Sequence, residues 1–191
     1  PGNVTSETAC GNRFKNWLPG LKDAVYDHRY VFDEIGYNLK PLDLQAAMGL
    51  QQLEKLPMLD AARRENWAKL RAIFEPYAQY FHMPEATEKS DPCWFAFLLT
   101  IKEGAPFSRS DIVNHLEGLK IQTRSYFSGN ILVHPGYVHL AEEYGDMYET
   151  FPNAQLITTN SFFLGTYVGL TDEKLEYIKE AVDGFFSEKQ G

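Results

Sequence analysis

The chain has 191 residues and a formal net charge of −8, with 44% hydrophobic and 23% charged residues. These values predict a globular protein with one sizeable core, or one domain with an extended arm. They argue against a nucleic-acid partner, which needs a basic surface, and no apolar run reaches the length of a transmembrane helix.

Aromatic residues and cysteines give two further indications. Phe, Tyr and Trp make up 14% of the chain, which fits a dense aromatic core as well as a flat ligand or a large subunit interface. Cys10 and Cys93 are far apart in sequence and indicate no disulfide framework, so the cytoplasm is the expected compartment. The chain begins at Pro1 rather than Met, which we interpret as a processed or trimmed end, or as the tail of a longer protein.

Residues 1–40 show turn signals and scattered aromatic residues without sustained periodicity, so they are predicted to form an extended arm. Residues 41–57 are predicted to form a linking helix that begins near Pro41 and Asp43 and is interrupted by Pro57. Its apolar residues recur at helical spacing and form one stripe, which consists of Leu42, Ala46, Leu50, Leu53 and Leu56.

Residues 58–191 are predicted to form a small α+β domain. A second helix is expected from Met58 to Phe74, with Arg63 and Arg64 on a solvated face. β-Branched and aromatic runs predict strands at 77–83, 93–101, 121–127 and 162–167. Capping residues predict helices after Ser108 or Ser110 and after Thr171, and shorter helices are expected at 134–144 and 152–159.

The first candidate site is the loop GYNLK, which directly precedes the linking helix. Gly36 allows close backbone approach, and Tyr37, Asn38 and Lys40 offer a phenol, an amide and an ammonium group. Together with the free N–H groups of a helix N-terminus, these donors suit a phosphate-bearing ligand. The alternative is a capped helix start in which Tyr37 packs against its neighbours.

The second candidate site is the segment QTRSYFSGN, residues 122–130. Arg124 follows a predicted strand and can bind a phosphate or a carboxylate through two parallel hydrogen bonds. The hydroxyls of Tyr126 and Ser128 and the amide of Asn130 suit a sugar. An exposed salt bridge is the alternative for Arg124 taken by itself, but two polar clusters on separate loops favour a ligand.

No catalytic constellation is evident in the sequence. The histidines do not have the spacing of metal ligands, no serine lies in a nucleophile-elbow motif, and no glycine-rich phosphate loop is present. The residues alone therefore favour a structural or interface role over catalysis within this chain.

Several segments resemble a known family. GYNLKPLDLQAAMGLQQLEKLP resembles the signature of the DegT/DnrJ/EryC1/StrS group, the sugar aminotransferases and dehydrases of pyridoxal-phosphate fold type I. RYVFDEIGYNLK, PEATEKSDPCWFAFLLTIKE, IQTRSYFSGN and GLTDEKLEYI resemble a narrower branch, the lipopolysaccharide-biosynthesis 3-dehydrases that act on CDP-4-keto-6-deoxyglucose. The resemblance runs from about Cys10 to Phe186.

The resemblance implies that this chain is the C-terminal portion of a larger enzyme that depends on pyridoxamine 5′-phosphate or pyridoxal 5′-phosphate. It would be the small α+β domain of that fold, a small antiparallel sheet packed with helices, preceded by the arm and the linking helix. The residue that transfers protons at the cofactor would lie upstream of Pro1, so the chain alone is expected to be inactive. The enzyme would be a homodimer that removes the C3 hydroxyl of a nucleotide sugar.

The resemblance also assigns roles to individual residues. Asn38 would reach across the dimer interface to the cofactor phosphate of the other subunit. Tyr37 and Lys40 would lie at the mouth of the same cofactor site. The nucleotide sugar would be faced by a second group of side chains, which consists of Arg124 and Asn130 with Tyr126 and Ser128 close by.

Two departures from the family pattern separate its branches. Aminotransferases of the family usually have Arg in place of Lys40 and the motif R-P-x-x-x-P-x-H in place of TRSYFSGN, so both differences favour a dehydrase. The dehydrase branch further resembles an enzyme with a [2Fe–2S] cluster and a reductase partner, and ACGNRF places Cys10 at one ligand position of the intact protein. A nucleotide-sugar aminotransferase and a non-catalytic, stand-alone small domain are the alternatives.

Overall fold

The structure is a computed structural model that describes residues 14–15, 18, 20, 25–27, 31, 34–37, 39 and 41–190. The chain divides into two compact units, Pro1–Gly49 and Leu50–Gly191. In the first unit, strands β1 (Phe14–Lys15) and β2 (Tyr26–Asp27) pair antiparallel. The boundary between the units lies within the predicted linking helix, and the division into an arm, a linking helix and a domain stays a prediction.

A single helix, α1 (Asp43–Phe74), takes the place of the two predicted helices. The predicted interruption at Pro57 is wrong, because the helix continues through the proline. A proline removes one intrahelical hydrogen bond and kinks or breaks a helix. Strong helix formers on both sides, in the segments LQQLEKL and MLDAARRENWAKL, favour continuation of the helix beyond that local defect.

The apolar stripe predicted for residues 41–57 is present, but it is exposed. Leu53 and Leu56 have 63% and 53% of their surface exposed, and Met58 continues the stripe with 53%. Farther along α1, Leu70 and Phe74 are completely buried. The last turns of the helix therefore belong to the core of the second unit, whereas the preceding turns keep apolar side chains in contact with solvent.

The second unit contains a four-stranded antiparallel sheet in the order β3-β4-β6-β5. Its strands are β3 (Phe81–His82), β4 (Ala96–Ile101), β5 (Arg124–Ser125) and β6 (Ser161–Gly165). The central strands pair from Ala96 opposite Gly165 to Thr100 opposite Ser161. This architecture confirms the predicted α+β class with a small antiparallel sheet packed with helices.

The remaining helices are α2 (Arg109–Gly118), α3 (Val138–Ala141), α4 (Met147–Thr150), α5 (Pro152–Asn160) and α6 (Asp172–Gln190). Two 3-10 helices cover Glu75–Tyr80 and Ile131–Val133. The strand predicted at 77–83 is mostly wrong, because the first 3-10 helix occupies it up to residue 80, and the strand predicted at 121–127 is limited to β5. No helix in the described part of the chain is long and apolar enough to cross a membrane.

The core lies between one face of the sheet and the helices α1, α2 and α6. Phe97 and Leu99 of β4 stand opposite Leu164 and Phe162 of β6, and all of these side chains are buried. Aromatic rings fill much of the remaining core, and neighbouring rings meet with centroids 5.2–5.8 Å apart: Phe74, Phe81, Phe107, Phe185 and Phe186. The high aromatic content of the sequence is thus explained in large part by core packing.

Both ends of α2 are capped by local hydrogen bonds. Ser108, one of the two predicted caps, forms a reciprocal capping box with Asp111 at the start of the helix. At its end, the N–H of Ile121 donates to the carbonyl of Leu116 and the N–H of Lys120 donates to that of Glu117, which is the Schellman pattern. Lys120 has a φ of 63°, a left-handed conformation that costs a side-chain-bearing residue about 1 kcal/mol and that is usually occupied by glycine.

Truncation of Leu70 tests the division of α1 into a buried and an exposed part. Leu70→Ala is expected to lower the free energy of unfolding by about 2–5 kcal/mol, since it leaves a cavity in the core. Leu53→Ala, the same change on an exposed turn of the same helix, is the matched control and is expected to change it little. Chemical denaturation of both variants measures the difference, and an equal loss for the two would contradict the division.

Candidate functional site

The loop before α1 exposes the phenol of Tyr37. Tyr37 is 95% exposed, so the alternative in which it packs against its neighbours is wrong. At Gly36, a side-chain carbon would meet open space, which leaves room for a ligand to approach the backbone. Asn38 and Lys40 lie outside the described residues. The N–H of Leu42 donates to Oε1 of Gln45 at 2.8 Å, so one donor at the helix start is already occupied.

Arg124 occupies β5 on the edge of the sheet, opposite Phe163 of β6. Its side chain is exposed and forms no ion pair or hydrogen bond within the described part of the chain, so the salt-bridge alternative is wrong for these residues. Thr123 holds the start of the strand, because its N–H and its hydroxyl donate to Oε1 of Glu117 at 2.6 and 2.7 Å. These two hydrogen bonds stabilise the carboxylate and lower the pKa of Glu117.

The loop that follows β5 separates the other predicted ligands. Tyr126 has 42% of its surface exposed, whereas Asn130 is buried, with only 4% exposed. The Asn130 side chain caps the second 3-10 helix, since its Oδ1 accepts from the N–H of Leu132 at 3.1 Å. Its Nδ2 is buried without a hydrogen-bond partner among the described residues. The carbonyl of Ser128 contacts Nε2 of His134 at 2.9 Å, so this loop is also held internally.

Gly129 fixes the same loop against α5. It has a φ of 68°, and a side-chain carbon there would lie 2.5 Å from Oγ1 of Thr158. That hydroxyl accepts a hydrogen bond from the N–H of Asn130 at 2.6 Å. Sequence reasoning did not single out Gly129 or Thr158, although a glycine between two polar residues is a common turn signal.

A cavity of about 480 Å³ opens beside Arg124. Four cationic side chains line it, contributed by α1, the turn after α2, β5 and the start of α6: Arg63, Lys120, Arg124 and Lys174. Phe95, which is 64% exposed, lies at the same cavity, and the guanidinium carbon of Arg63 is 5.7 Å from the centre of its ring. The prediction of a solvated face for Arg63 and Arg64 holds only in part. Arg64 is half-buried and pairs with Asp60 and Asp91, and Arg63 lines this cavity.

The described residues contain no cluster of three or more His, Cys, Asp or Glu side chains that could hold a metal ion. Cys10, the predicted iron–sulfur ligand, lies outside the described residues. The exposed Cys93 shares a hydrogen bond with Asp60, and this contact raises the pKa of the thiol. The neighbouring Asp60 carboxylate therefore disfavours the thiolate form of Cys93.

Comparison with known proteins relates this geometry to a family. Residues 15–183 match the model of the DegT/DnrJ/EryC1/StrS aminotransferase family. A dTDP-4-dehydro-2,6-dideoxy-D-glucose 3-dehydratase of Saccharopolyspora spinosa is 39% identical over 179 residues, which cover 94% of this chain and 38% of that protein. The lipopolysaccharide biosynthesis protein RfbH of Salmonella typhimurium is 38% identical over 180 residues, which cover 94% of this chain and 40% of that protein.

Most of the chain also superposes on a solved structure. The E. coli GDP-4-keto-6-deoxy-D-mannose-3-dehydratase with bound hydrated PLP superposes with a TM-score of 0.62 and 27% identity, over 81% of this chain and 38% of that chain. The chain thus spans about two fifths of the length of the relatives it matches. On the extent of the family match, the chain belongs to the DegT/DnrJ/EryC1/StrS aminotransferase family.

Proposed function

We propose that this chain is the C-terminal portion of a nucleotide-sugar 3-dehydratase that uses pyridoxamine or pyridoxal phosphate in lipopolysaccharide or deoxysugar biosynthesis. The observation that carries the proposal is the identity of 39% and 38%, over 94% of the chain, to a 3-dehydratase and to a lipopolysaccharide biosynthesis protein. The lysine at position 40 and the segment TRSYFSGN support a dehydratase over an aminotransferase. CDP-4-keto-6-deoxyglucose is the substrate that the resemblance favours.

The loop before α1 fits the phosphate of this cofactor. The Tyr37 phenol is exposed and makes no hydrogen bond within the described part of the chain, so it is available to an acceptor outside its own chain. Asn38 and Lys40, its neighbours in sequence, would donate to the same phosphate in the partner subunit of a homodimer. When bound, the cofactor supplies the electron sink that allows the C3 hydroxyl of the sugar to leave.

The edge of the sheet supplies the substrate contacts. The guanidinium of Arg124 has no partner among the described residues, and the start of its strand is fixed by Thr123 and Glu117. Arg124 would therefore present two parallel donors to a phosphate of the nucleotide sugar. Tyr126 and Ser128 would offer hydroxyl groups to the sugar. The unpartnered Nδ2 of Asn130 would be satisfied by an acceptor in the assembled enzyme, either a sugar oxygen or a water molecule.

The proposal includes two features of the intact protein. Cys10 would supply one ligand of a [2Fe–2S] cluster, whose electrons come from a reductase partner. An enzyme that acts on nucleotide sugars and is reduced by a partner protein fits a cytoplasmic location, where cysteines remain reduced.

A second candidate is a nucleotide-sugar aminotransferase, which is favoured by the description of the matching family. The two functions differ in their products. A dehydratase releases water from C3 of the 4-keto sugar, whereas an aminotransferase consumes glutamate and leaves an amino group on the sugar.

Turnover by the full-length protein decides between them. We expect the full-length protein with pyridoxamine phosphate and a source of electrons, either the reductase partner or a chemical reductant, to convert CDP-4-keto-6-deoxyglucose into the 3-deoxy sugar with loss of water, as measured by mass spectrometry of the sugar. The 191-residue chain alone is expected to be inactive. Formation of an amino sugar with glutamate would select the aminotransferase, and turnover by the 191-residue chain would contradict its assignment as a portion of the enzyme.

Arg124→Lys in the full-length protein tests the substrate contact. A lysine keeps the charge but loses the paired donors, so we expect KM for the nucleotide sugar to rise about tenfold, the equivalent of one charge-assisted hydrogen bond. Arg64→Lys, at an arginine that pairs with Asp60 and Asp91 on the surface, is the matched control. An equal effect of the two changes on KM would remove Arg124 from the site.

Asn38→Ala tests the contact across the homodimer. The variant is expected to lose cofactor affinity, as measured by cofactor absorbance after dialysis, and to lose activity. Mixed with a second variant that lacks the proton-transfer residue but keeps Asn38, it should form hybrid dimers that recover part of the activity. Absence of recovery in verified hybrid dimers would mean that Asn38 acts within its own subunit or not at all.

A further inference from the structure

The loop between β5 and the second 3-10 helix lies between two fixed points. At its start, β5 is paired with β6 along the edge of the sheet. At its end, Asn130 caps the 3-10 helix and is buried. Residues 126–129 lie between these points and include Tyr126 and Ser128, whose side chains are exposed. The positions of their two hydroxyl groups therefore depend on how each end of the loop is held.

A single hydroxyl group of α5 holds the far end of the loop. The N–H of Asn130 donates to Oγ1 of Thr158 at 2.6 Å, and the same hydroxyl donates to the carbonyl of Ala154, also at 2.6 Å. A hydroxyl has one hydrogen and two lone pairs, so the two hydrogen bonds have fixed directions. Serine could make the same pair of contacts at this position, whereas valine, which has the shape of threonine, could make neither.

Thr158 is itself held from two sides. Its backbone carbonyl accepts a hydrogen bond of 3.1 Å from the guanidinium of Arg109, the first residue of α2. The hydrogen bond from its hydroxyl to Ala154, one turn earlier in α5, restricts the side chain to the rotamer that makes this contact. The hydroxyl therefore has a defined position before any ligand binds.

Gly129 allows the loop to approach α5 this closely. A side-chain carbon at Gly129 would lie 2.5 Å from Oγ1 of Thr158 and 3.1 Å from its Cα, and the second of these atoms belongs to the backbone of the helix. The φ of 68° at Gly129 is also one that glycine adopts more readily than any other residue. Gly129 and Thr158 therefore form one contact between the loop and the helix.

The contact with Thr158 also determines where the Asn130 amide points. Besides the N–H that Thr158 accepts, the carbonyl of Asn130 accepts from the N–H of Val133 at 3.3 Å and its Oδ1 accepts from the N–H of Leu132 at 3.1 Å. Reversal of the side-chain amide would place two donors face to face, so its orientation is fixed. Nδ2 is the group of Asn130 that has no partner among the described residues, and its direction follows from the other three contacts.

We propose that Thr158 is a positioning residue for the sugar: its hydroxyl holds the backbone of Asn130 and thereby places the hydroxyls of Tyr126 and Ser128 for contact with the substrate. This inference rests on the proposed function, in which these side chains face the nucleotide sugar. Thr158 acts through the loop and not on the reacting atoms. Its loss is therefore expected to weaken substrate binding and to leave the chemical step intact.

Thr158→Val in the full-length protein tests the inference, because it removes the hydroxyl and keeps the shape of the side chain. KM for the nucleotide sugar is expected to rise about fivefold, the equivalent of one hydrogen bond, while kcat stays within about twofold. Thr158→Ser, which keeps the donor and the acceptor, is expected to have a KM close to that of the unchanged protein. Thr159→Val is the matched control, since the Thr159 hydroxyl donates to the carbonyl of Gln155 one turn earlier but makes no hydrogen bond to the described loop.

Gly129→Ala tests the same contact from the side of the loop. KM is expected to rise about fivefold here as well, because the added methyl group would displace the loop from the Thr158 hydroxyl. In the double variant with Thr158→Val, the two effects on KM are expected not to multiply, since both changes remove one shared contact. Effects that multiply would mean that the two residues act independently.

Hydrogen exchange, followed by mass spectrometry of the full-length protein, gives a measurement that does not depend on activity. Peptides that cover residues 126–134 are expected to exchange faster in Thr158→Val than in the unchanged protein, because the N–H of Asn130 has lost its acceptor. Thr159→Val is expected to leave the exchange of these peptides unchanged.

The outcomes separate this inference from the proposed function. An unchanged KM in Thr158→Val, or an equal rise in Thr159→Val, overturns the inference, while turnover by the unchanged protein still supports the dehydratase. Faster exchange without a change in KM also overturns it, because Thr158 would then stabilise the loop without positioning the substrate. A KM that depends on the Thr158 hydroxyl supports the inference even where turnover selects the aminotransferase, because both enzymes use nucleotide sugars.

Discussion

The antiparallel pairing of β4 with β6 is the contact on which the second unit depends. It joins Thr100 to Ser161, 61 residues apart, whose hydroxyls share a buried hydrogen bond of 2.7 Å. One face of the pair forms the core against α1, α2 and α6, and β5 joins the free edge of β6 so that Arg124 stands opposite Phe163. A shift of one residue in the register would invert the buried face and would also separate Arg124 from the cavity.

Features that depend on a few adjacent residues could be predicted from the sequence. The helix that starts after Ser108 and the start of α6 after Thr171 follow from local hydrogen bonds that each segment makes with itself. The class of the fold followed from the change between segments of helical periodicity and runs of β-branched and aromatic residues. The family followed from the length of the segment GYNLKPLDLQAAMGLQQLEKLP, which is too specific to arise from amphipathic patterning alone.

Features that depend on distant residues could not be predicted in this way. The length of β5 depends on which residues of the distant strand β6 are available to pair with it. The helix continues through Pro57 because the helix propensity of the residues on both sides outweighs one lost hydrogen bond. Asn130 was predicted to face the sugar nucleotide, yet its side-chain oxygen caps the adjacent 3-10 helix and only its Nδ2 is left without a partner among the described residues. Arg63 looked like a solvated residue, because nothing near it in sequence reveals that Phe95 and Arg124 lie at the same cavity.

At Lys120, the left-handed residue after α2, the stability of the fold and the charge of the cavity favour different side chains. Folding alone is best served there by glycine, whereas the cationic cavity is best served by a long charged side chain. Directed evolution for heat resistance, without a requirement for activity, would therefore tend to discard Lys120 as an apparent defect. In a protein engineered for durability, a glycine at this position would favour stability but remove one of the four cations that line the cavity beside Arg124.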